Sequence, residues 1–327
     1  MMAQLRAPSL EQALREYLPP DFGGGWGTDG FQAEPLPSSR PVFRLSFSGA
    51  LRSAVGKFFT GCPPATSQDR SLAREYRNYL WLADQGREPL NGSLPRLLGQ
   101  LPEQGLGVLL EAVSGPDLDH FLAQAALGGQ MEALCRRLDK LAGLLTRFHQ
   151  TSAPGTLTSP DPARRYFNKL CFQLTNLGLF SADEQGALME ARDAWEPQLV
   201  KFPDRTVLVH GDATPTNFLF PDGRAVAVDL ERLRYADRLW DVSWVAGELK
   251  HAWGWRTGDL AGAEPAIRHF FRAYLDHLRA APYVVDRVYR LNPFYMALAE
   301  LRIARNEYLP WDYRRELVGE AMRCLGA

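Results

Sequence analysis

The chain has 327 residues, 46% of them hydrophobic, which predicts one large or two ordinary domains with a sizeable core. The formal net charge of −1 gives no reason to expect binding to nucleic acid or to an anionic membrane, and no apolar run approaches the roughly 18 residues of a membrane helix. The sequence shows no signal-peptide pattern and its four cysteines form no paired metal motif, so we expect a cytoplasmic protein with reduced thiols and no zinc.

Three short strands are predicted near the start of the chain, at residues 31–36, 41–47 and 53–59. Lys57 lies in the third of them, within an otherwise apolar run. A lysine on a strand is often an edge residue whose stem packs while its ammonium reaches water. The alternative is a lysine that contacts nucleotide phosphates and is held by a carboxylate on the following helix.

The following helix is predicted at residues 71–82, where apolar side chains recur at helical spacing. It carries Glu75, and we expect this carboxylate to pair with Lys57. The alternative is an ordinary exposed glutamate beside Arg74 and Arg77. The helix with Glu75 is the next predicted element after the strand with Lys57, and this order favours the ion pair between them.

A buried strand running into a glycine-containing loop is predicted at residues 105–115. Such a segment has the form of a hinge between a small β-rich lobe and the rest of the chain. Its extended backbone suits an adenine edge, with Glu111 offering its carbonyl and Val113 offering its N–H and carbonyl. A simple connecting strand is the alternative.

Beyond Asp117, apolar residues recur at helical spacing, so the rest of the chain is predicted to be mainly helical.

Three polar residues, Asp212, Asn217 and Asp229, surround a short predicted hairpin whose turn is the Pro-Asp-Gly of residues 221–223. Pairing at this turn would bring Asn217 opposite a position near Asp229, at the roughly 5 Å of cross-strand neighbours. An amide oxygen and a carboxylate at that separation suit Mg²⁺ together with substrate phosphates. Asp212 precedes Asn217 by the step that separates the base from the metal-ligating asparagine in kinase catalytic loops. Taken singly, such residues are usually turn formers and caps.

The order of these motifs resembles the aminoglycoside phosphotransferase and choline kinase superfamily, whose members are relatives of protein kinases with the same two-lobed fold. The most specific part is His210-Gly-Asp-x4-Asn217 followed by Asp229. The resemblance implies that Asp212 accepts or orients the substrate hydroxyl proton, and that Asn217 and Asp229 hold Mg²⁺. It also implies that Lys57 contacts the phosphates of ATP and that Glu75 positions Lys57.

The resemblance also implies an α+β protein-kinase-like fold with two lobes. Residues 1–113 are expected to form a nucleotide-binding lobe that ends in the hinge, and residues 114–327 a mainly helical catalytic and substrate lobe. Asp241 matches a family position that is largely structural, beneath the catalytic loop. Asp241 and Glu248, seven residues apart, are also similar to the choline kinase pattern.

We therefore predict an ATP- and Mg²⁺-dependent phosphotransferase that moves the γ-phosphate to a hydroxyl of a small molecule. Such a reaction needs alignment and charge neutralisation more than covalent help from the protein. The alternative is a kinase-fold nucleotide-binding regulatory protein without robust transfer, because the turn at residues 37–40 has no glycine-rich phosphate loop. The presence of Asp212, Asn217 and Asp229 together argues for the enzyme.

The acceptor stays open among amino alcohols, sugars and aminoglycoside-like compounds. Trp240 and Trp244 belong to a set of aromatic residues that either forms a wall for a quaternary ammonium or a sugar, or packs in the core. Arg232, Arg234 and Arg238 follow the predicted metal site closely, and the alternative that they indicate is an acidic or phosphorylated substrate. The oligomeric state is equally open.

Overall fold

The structure is a computed structural model that describes residues 7–19, 22, 30–61, 66–85, 90 and 92–326. Cys62 and the first six residues lie outside this part. The described chain forms two compact units, of which the first contains the residues up to Ser114 together with Val226–Leu233. The second contains Gly115–Ala225 and the residues from Arg234 onward.

The predicted α+β class with a small β-rich lobe and a larger helical lobe is confirmed. The strands are β1 (Phe31–Pro35), β2 (Val42–Phe47), β3 (Ala54–Phe58), β4 (Leu97–Leu101), β5 (Leu106–Glu111), β6 (Ser152–Leu157), β7 (Arg205–Val209), β8 (Phe218–Leu219), β9 (Val226–Ala227) and β10 (Arg234–Ala236). The helices are α1 (Ala7–Tyr17), α2 (Ser67–Asp84), α3 (Leu118–Gly128), α4 (Met131–His149), α5 (Asp161–Asn176), α6 (Ala182–Lys201), α7 (Leu239–Thr257), α8 (Glu264–Leu278), α9 (Pro282–Ala304) and α10 (Trp311–Leu325). The functional division at residue 113 stays a prediction.

The first unit is built on a five-stranded antiparallel sheet in the order β1-β2-β3-β5-β4. The three strands predicted before residue 60 are present, and apolar side chains of β2 and β3 enter the core of the sheet. Leu10 and Leu14 of α1 pack in that core with Leu45 and Leu109 from the sheet. The sheet thereby gives β3, which carries Lys57, a fixed position between β2 and β5.

The helix α2 begins four residues before the predicted start at residue 71. Thr66 and Asp69 form a capping box in which each side chain accepts the other residue's backbone N–H. Asp69 also accepts the backbone N–H of Thr60, the second residue after β3, at 2.7 Å. The cap therefore ties the helix that carries Glu75 to the end of the strand that carries Lys57.

The second unit contains a three-stranded antiparallel sheet, in the order β10-β7-β6, that the sequence analysis missed. β6 contains Pro154 and Gly155, residue types that end helices and are depleted in strands, so the sequence predicts no strand there. β7 is rich in β-branched and apolar residues, but its sequence does not indicate its partners. The sheet matters for the site because β7 ends at Val209, directly before His210.

A proline at position 293 predicts a break in the last helices, and the structure has no break there. The helix α9 continues through Pro293 over its full 23 residues. A proline inside a helix costs about 3 kcal/mol or more, because one backbone hydrogen bond is lost and the ring crowds the preceding turn. Packing of α9 against α7 and α10 offsets this cost. None of the described helices is long and apolar enough to cross a membrane.

The turn at Pro221–Gly223 departs from the prediction in its backbone. Gly223 has the expected positive φ of 74°, but Asp222 also has a positive φ, 49°. Aspartate tolerates this left-handed conformation better than most residues, because its short side chain bonds locally. The strands on either side, β8 and β9, are each only two residues long.

Glu300 on α9 is an unusual core residue, because its side chain is fully buried and neither carboxylate oxygen has a hydrogen-bond partner among the described residues. Burial raises the pKa of Glu300 well above its ordinary value. A carboxyl with a raised folded-state pKa stabilises the fold fully below the unfolded pKa, and this stabilisation is lost as the pH rises through the folded pKa.

We therefore expect Glu300→Gln to gain stability relative to the wild type, by about 1 kcal/mol or more, when the pH rises from 5 to 8. Urea unfolding at both pH values measures this difference. Glu316→Gln changes an exposed glutamate on α10 and should show no such trend. If the free energy of unfolding depends on pH in the same way in wild type and Glu300→Gln, the raised pKa of Glu300 is contradicted.

Candidate active site

In the first unit, Lys57, Glu75 and Asp229 form one cluster, called here the lysine cluster, in which Lys57 and Glu75 are buried. The Lys57 ammonium donates to both carboxylate oxygens of Glu75, at 2.8 and 2.9 Å. It also donates to the carboxylate of Asp229. The structure thus brings together three of the residues that the sequence singles out, and it places Glu75 on α2 with no exposed surface.

The lysine cluster keeps its ammonium charged. Burial alone would lower the pKa of Lys57, but the carboxylates of Glu75 and Asp229 outweigh it, so the pKa is raised. Two carboxylates and one ammonium leave the cluster with a net negative charge. Asp229 is its most open member, with 36% of its side chain exposed. The cluster therefore presents a cation and an accessible carboxylate side by side.

Asp229 has a left-handed backbone, with φ of 65°, and begins the short helical turn Leu230–Arg232. A non-glycine residue in this conformation persists where its surroundings hold it. The Leu230 carbonyl accepts a hydrogen bond from the side chain of Asn78 on α2 at 2.6 Å. Glu231 forms an ion pair with Arg40. These contacts fix the segment that carries Asp229 within the first unit.

Glu111 is the last residue of β5, and Val113 is in the extended stretch that follows. The Glu111 N–H donates to the Arg96 carbonyl at 2.9 Å, and the Glu111 carboxylate accepts from Arg52 at 2.9 Å. The Ala112 N–H donates to the carbonyl of Ser53 at 2.9 Å. Adenine binding by the carbonyl of Glu111 and the backbone of Val113 stays a prediction.

In the second unit, a buried carboxylate positions the segment that carries Asp212. Asp241, at the start of α7, accepts the backbone N–H of His210 at 2.7 Å and of Gly211 at 2.8 Å. Burial would raise the pKa of Asp241, but the donors around it outweigh this effect and hold the pKa below its ordinary value. Asp241 is therefore a buried anion that orients the backbone leading to Asp212.

The side chain of His149 continues this network, in a role that no local pattern of the sequence indicates. Its Nε2 lies 3.1 Å from Asp241 and its Nδ1 lies 2.7 Å from the Tyr274 hydroxyl. Burial lowers the pKa of His149, so the ring is neutral at pH 7. A neutral ring fits both contacts if Nε2 donates to Asp241 and Nδ1 accepts from Tyr274.

The same network reaches a second buried ion pair. The Tyr274 hydroxyl accepts from Arg238 at 3.2 Å, and Arg238 donates to Asp204 at 2.6 Å. Buried polar groups that are fully hydrogen-bonded hold one another in a single arrangement. The backbone before Asp212 is thus anchored, through Asp241 and His149, to the interior of the large lobe.

Asn217 ends the short helical turn Pro215–Asn217, and its side chain is buried. Its amide nitrogen donates to the Asp212 carbonyl at 2.9 Å. This contact orients the amide so that its oxygen faces away from that carbonyl and is available as an acceptor. An amide oxygen is a suitable ligand for Mg²⁺, so the side chain fits the predicted role.

Arg302 on α9 was not identified from the sequence, although it contacts the candidate base directly. One nitrogen donates to Asp212 at 2.9 Å and another to Glu248 at 2.7 Å. The centre of the guanidinium lies 5.6 Å from the centre of the Trp244 ring. Arg302 is 90 residues from Asp212 in the chain and belongs to no recognisable motif, so no local signal could have identified it.

The aromatic residues proposed as a wall divide into two groups. Trp240, Trp244 and Tyr295 are buried, as the core interpretation requires. Trp255 and Tyr308 are exposed. Trp240 and Trp244 pack on each other with ring centres 5.2 Å apart. Arg234 lies over Trp240, 5.4 Å from the ring centre.

Comparison with known proteins places these features in context. The model of the phosphotransferase enzyme family matches residues 22–284. No curated protein matches the chain. Among solved structures, the ternary complex of streptomycin, ATP and APH(2")-IIa is similar at 14% identity and a TM-score of 0.58, with 99% of this chain and 97% of that chain covered.

Two kinases of small molecules are similar as well. Plasmodium vivax ethanolamine kinase matches with 12% identity and a TM-score of 0.61, covering 100% of this chain and 89% of that chain. Choline kinase from Cryptosporidium parvum matches with 10% identity and a TM-score of 0.61, covering 98% and 93%. At these identities the likeness concerns the fold, and it confirms the predicted protein-kinase-like architecture.

The lysine cluster yields a stability prediction. Lys57→Met leaves Glu75 buried without its partner, and we expect it to destabilise the protein by about 3–5 kcal/mol in urea unfolding. Adding Glu75→Leu removes the uncompensated charge and should restore much of this loss. The matched control Lys140→Met changes an exposed lysine and should shift stability by less than about 0.5 kcal/mol. A double variant no more stable than Lys57→Met would contradict this account.

Proposed function

The chain belongs to the phosphotransferase enzyme family, and we propose that it transfers the γ-phosphate of ATP to a hydroxyl group of a small molecule with Mg²⁺ as cofactor. The family predicted from the sequence motifs is thereby confirmed. The contact of Lys57 with Glu75 and Asp229 supports the proposed activity most directly. A cytoplasmic location, where ATP and Mg²⁺ are available, goes with this proposal.

In this proposal Lys57 binds the phosphates of ATP. Its ammonium is held charged by two carboxylates, and Glu75 fixes its position from α2. Kinase-like enzymes use a strand lysine paired with a helix glutamate in this way. Glu111 and Val113 would bind the adenine edge through their backbone groups.

Asn217 and Asp229 are the proposed ligands of Mg²⁺. The amide oxygen of Asn217 is oriented as an acceptor, and the carboxylate of Asp229 is the accessible member of the lysine cluster. Mg²⁺ usually takes one or two such ligands from the protein and others from substrate phosphates and water. The ion supplies neutralisation of the charge that develops on the transferred phosphoryl group.

Asp212 is the proposed catalytic residue. Its carboxylate orients the acceptor hydroxyl so that the oxygen attacks the γ-phosphorus in line with the leaving oxygen of ADP. As the new oxygen–phosphorus bond forms and the bond to ADP breaks, the hydroxyl proton passes to Asp212 and then to water. An aspartate is a weak base in water, so this transfer occurs late, when the hydroxyl has become acidic.

The backbone contacts of Asp241 explain how Asp212 is kept in place for this role. Both N–H groups that precede Asp212 are bound to one buried carboxylate. A catalytic group must be held within a fraction of an ångström of its productive position to be effective. Asp241 and His149 are therefore positioning residues in this proposal.

Substitution of the proposed base tests the function. Asp212→Asn keeps the shape of the side chain but cannot accept the proton, so we expect transfer to fall by about 10²–10⁴-fold. ATP affinity should stay within a few-fold of wild type. Release of ADP in the presence of Mg²⁺, ATP and a panel of sugars, amino alcohols, aminoglycosides and nucleosides measures transfer.

Asp222→Asn is the matched control, because it makes the same change in an exposed turn where asparagine tolerates the positive φ. It should behave as wild type. Undiminished transfer by Asp212→Asn would show that the catalytic role is wrong. ATP binding without transfer to any acceptor in the wild type would favour a nucleotide-binding regulatory protein instead.

A further inference from the structure

We propose that the acceptor beside Asp212 is an uncharged hydroxyl compound of the sugar or polyol class, and that Arg302 excludes cationic acceptors. This inference rests on the proposed function of Asp212 and concerns the specificity of the same site. It follows from where Arg302, Glu248 and Trp244 lie relative to one another.

A cationic acceptor needs a carboxylate partner and gains from an aromatic face. Beside Asp212, these two features are supplied by Glu248 and Trp244. The guanidinium of Arg302 already contacts both residues: it donates to Glu248 at 2.7 Å and lies 5.6 Å from the Trp244 ring centre. The same guanidinium donates to Asp212 at 2.9 Å. The chain's own cation thus occupies the place that an ammonium group would require.

Arg302 is held firmly in this position. Only 15% of its side chain is exposed, and Glu248 is equally enclosed, with 11% exposed. Burial would lower the pKa of Arg302, but the carboxylates of Glu248 and Asp212 outweigh it and raise the pKa, so the guanidinium stays charged. Displacing Arg302 would leave Glu248 as a buried carboxylate without its cation, which is strongly unfavourable.

The indole of Trp240, which packs on Trp244, is also covered by a guanidinium of this chain. Arg234 lies over Trp240 at 5.4 Å from the ring centre. Trp240 and Trp244 are therefore both in contact with a guanidinium of this chain, so neither offers its face to an ammonium group without competition. This second contact is independent of Arg302, since Arg234 belongs to β10.

The charges in contact beside Asp212 disfavour an anion. Asp212 and Glu248 contribute two negative charges, and the positive charge in contact with both is that of Arg302. The nearby Arg256 is paired with Asp119 at 2.7 Å. An anionic acceptor would approach the carboxylates of Asp212 and Glu248. The Arg302 groups that could attract it already donate hydrogen bonds to these carboxylates. An uncharged acceptor meets no like charge.

The same surroundings suit a hydroxyl-rich molecule. Asp212 presents a carboxylate, which accepts hydrogen bonds from the hydroxyl groups of such a molecule. The half-buried ring of Tyr166 packs against Trp240 and Trp244, with ring centres 5.6 and 6.1 Å away. An aromatic surface beside paired polar groups is a common arrangement in small-molecule sites.

Acceptor pairs that are similar in shape and differ in charge test this inference. Glucose is compared with glucosamine, and 3,3-dimethylbutan-1-ol with choline, by kcat/KM for phosphorylation. We expect the wild type to prefer the uncharged member of each pair by about tenfold or more, since like charges brought together are strongly unfavourable. Arg302→Met should shift the preference at least tenfold towards the cation, because it exposes Glu248 and Asp212 to the ligand.

Arg302→Lys is the matched control, because it keeps the positive charge and should keep the wild-type preference. If Arg302→Met does not fold, Glu248→Gln provides a second test, since it removes a carboxylate and should strengthen the preference for uncharged acceptors. Wild-type preference for glucosamine and choline would overturn the inference. An unchanged preference in Arg302→Met or, if that variant does not fold, in Glu248→Gln would overturn it equally.

The inference and the proposed function fail in different ways. Phosphorylation of choline in preference to its uncharged isostere would refute the charge selection while upholding phosphoryl transfer. Absence of transfer to all four acceptors and to the wider panel would count against the proposed function itself, and the inference would fall with it.

Discussion

An unpaired buried charge has a high free energy, and this determines how charged side chains are arranged in both lobes of the protein. An isolated charge in a protein interior is strongly unfavourable, whereas a paired and hydrogen-bonded charge is tolerated. In the small lobe, Lys57 is buried only because Glu75 and Asp229 surround its ammonium. In the large lobe, Asp241 is buried only because two backbone N–H groups and His149 donate to it. These pairings position side chains to which the proposed function assigns a role.

Stability and orientation therefore come from the same contacts. The hydrogen bonds from Asp204 through Arg238, Tyr274 and His149 to Asp241 satisfy buried polar groups and also fix the backbone before the candidate base. The buried ion pair of Arg302 and Glu248 fixes side chains in the same way beside the proposed acceptor site. A carboxylate that is already paired with a cation of this chain limits which ligands can bind, because any charged ligand must compete with that cation.

Much of the site was predictable where chain order determines a contact. A strand lysine followed by a helix glutamate predicted the pair of Lys57 and Glu75, and it is present. His149 and Arg302 were not predictable, because their partners lie 92 and 90 residues away and no local pattern marks them. The second sheet was missed for a similar reason, since the partners of β7 come from distant parts of the chain. Pro293 was misjudged because tertiary packing outweighed a local preference.

The most direct test of the central claim is phosphorus NMR of the wild-type protein incubated with Mg²⁺, ATP and uncharged sugars or polyols. Phosphoryl transfer to a hydroxyl predicts a growing phosphomonoester resonance that matches the ADP formed. Retained ATP binding with no phosphomonoester, or with inorganic phosphate as the sole new product, would contradict it.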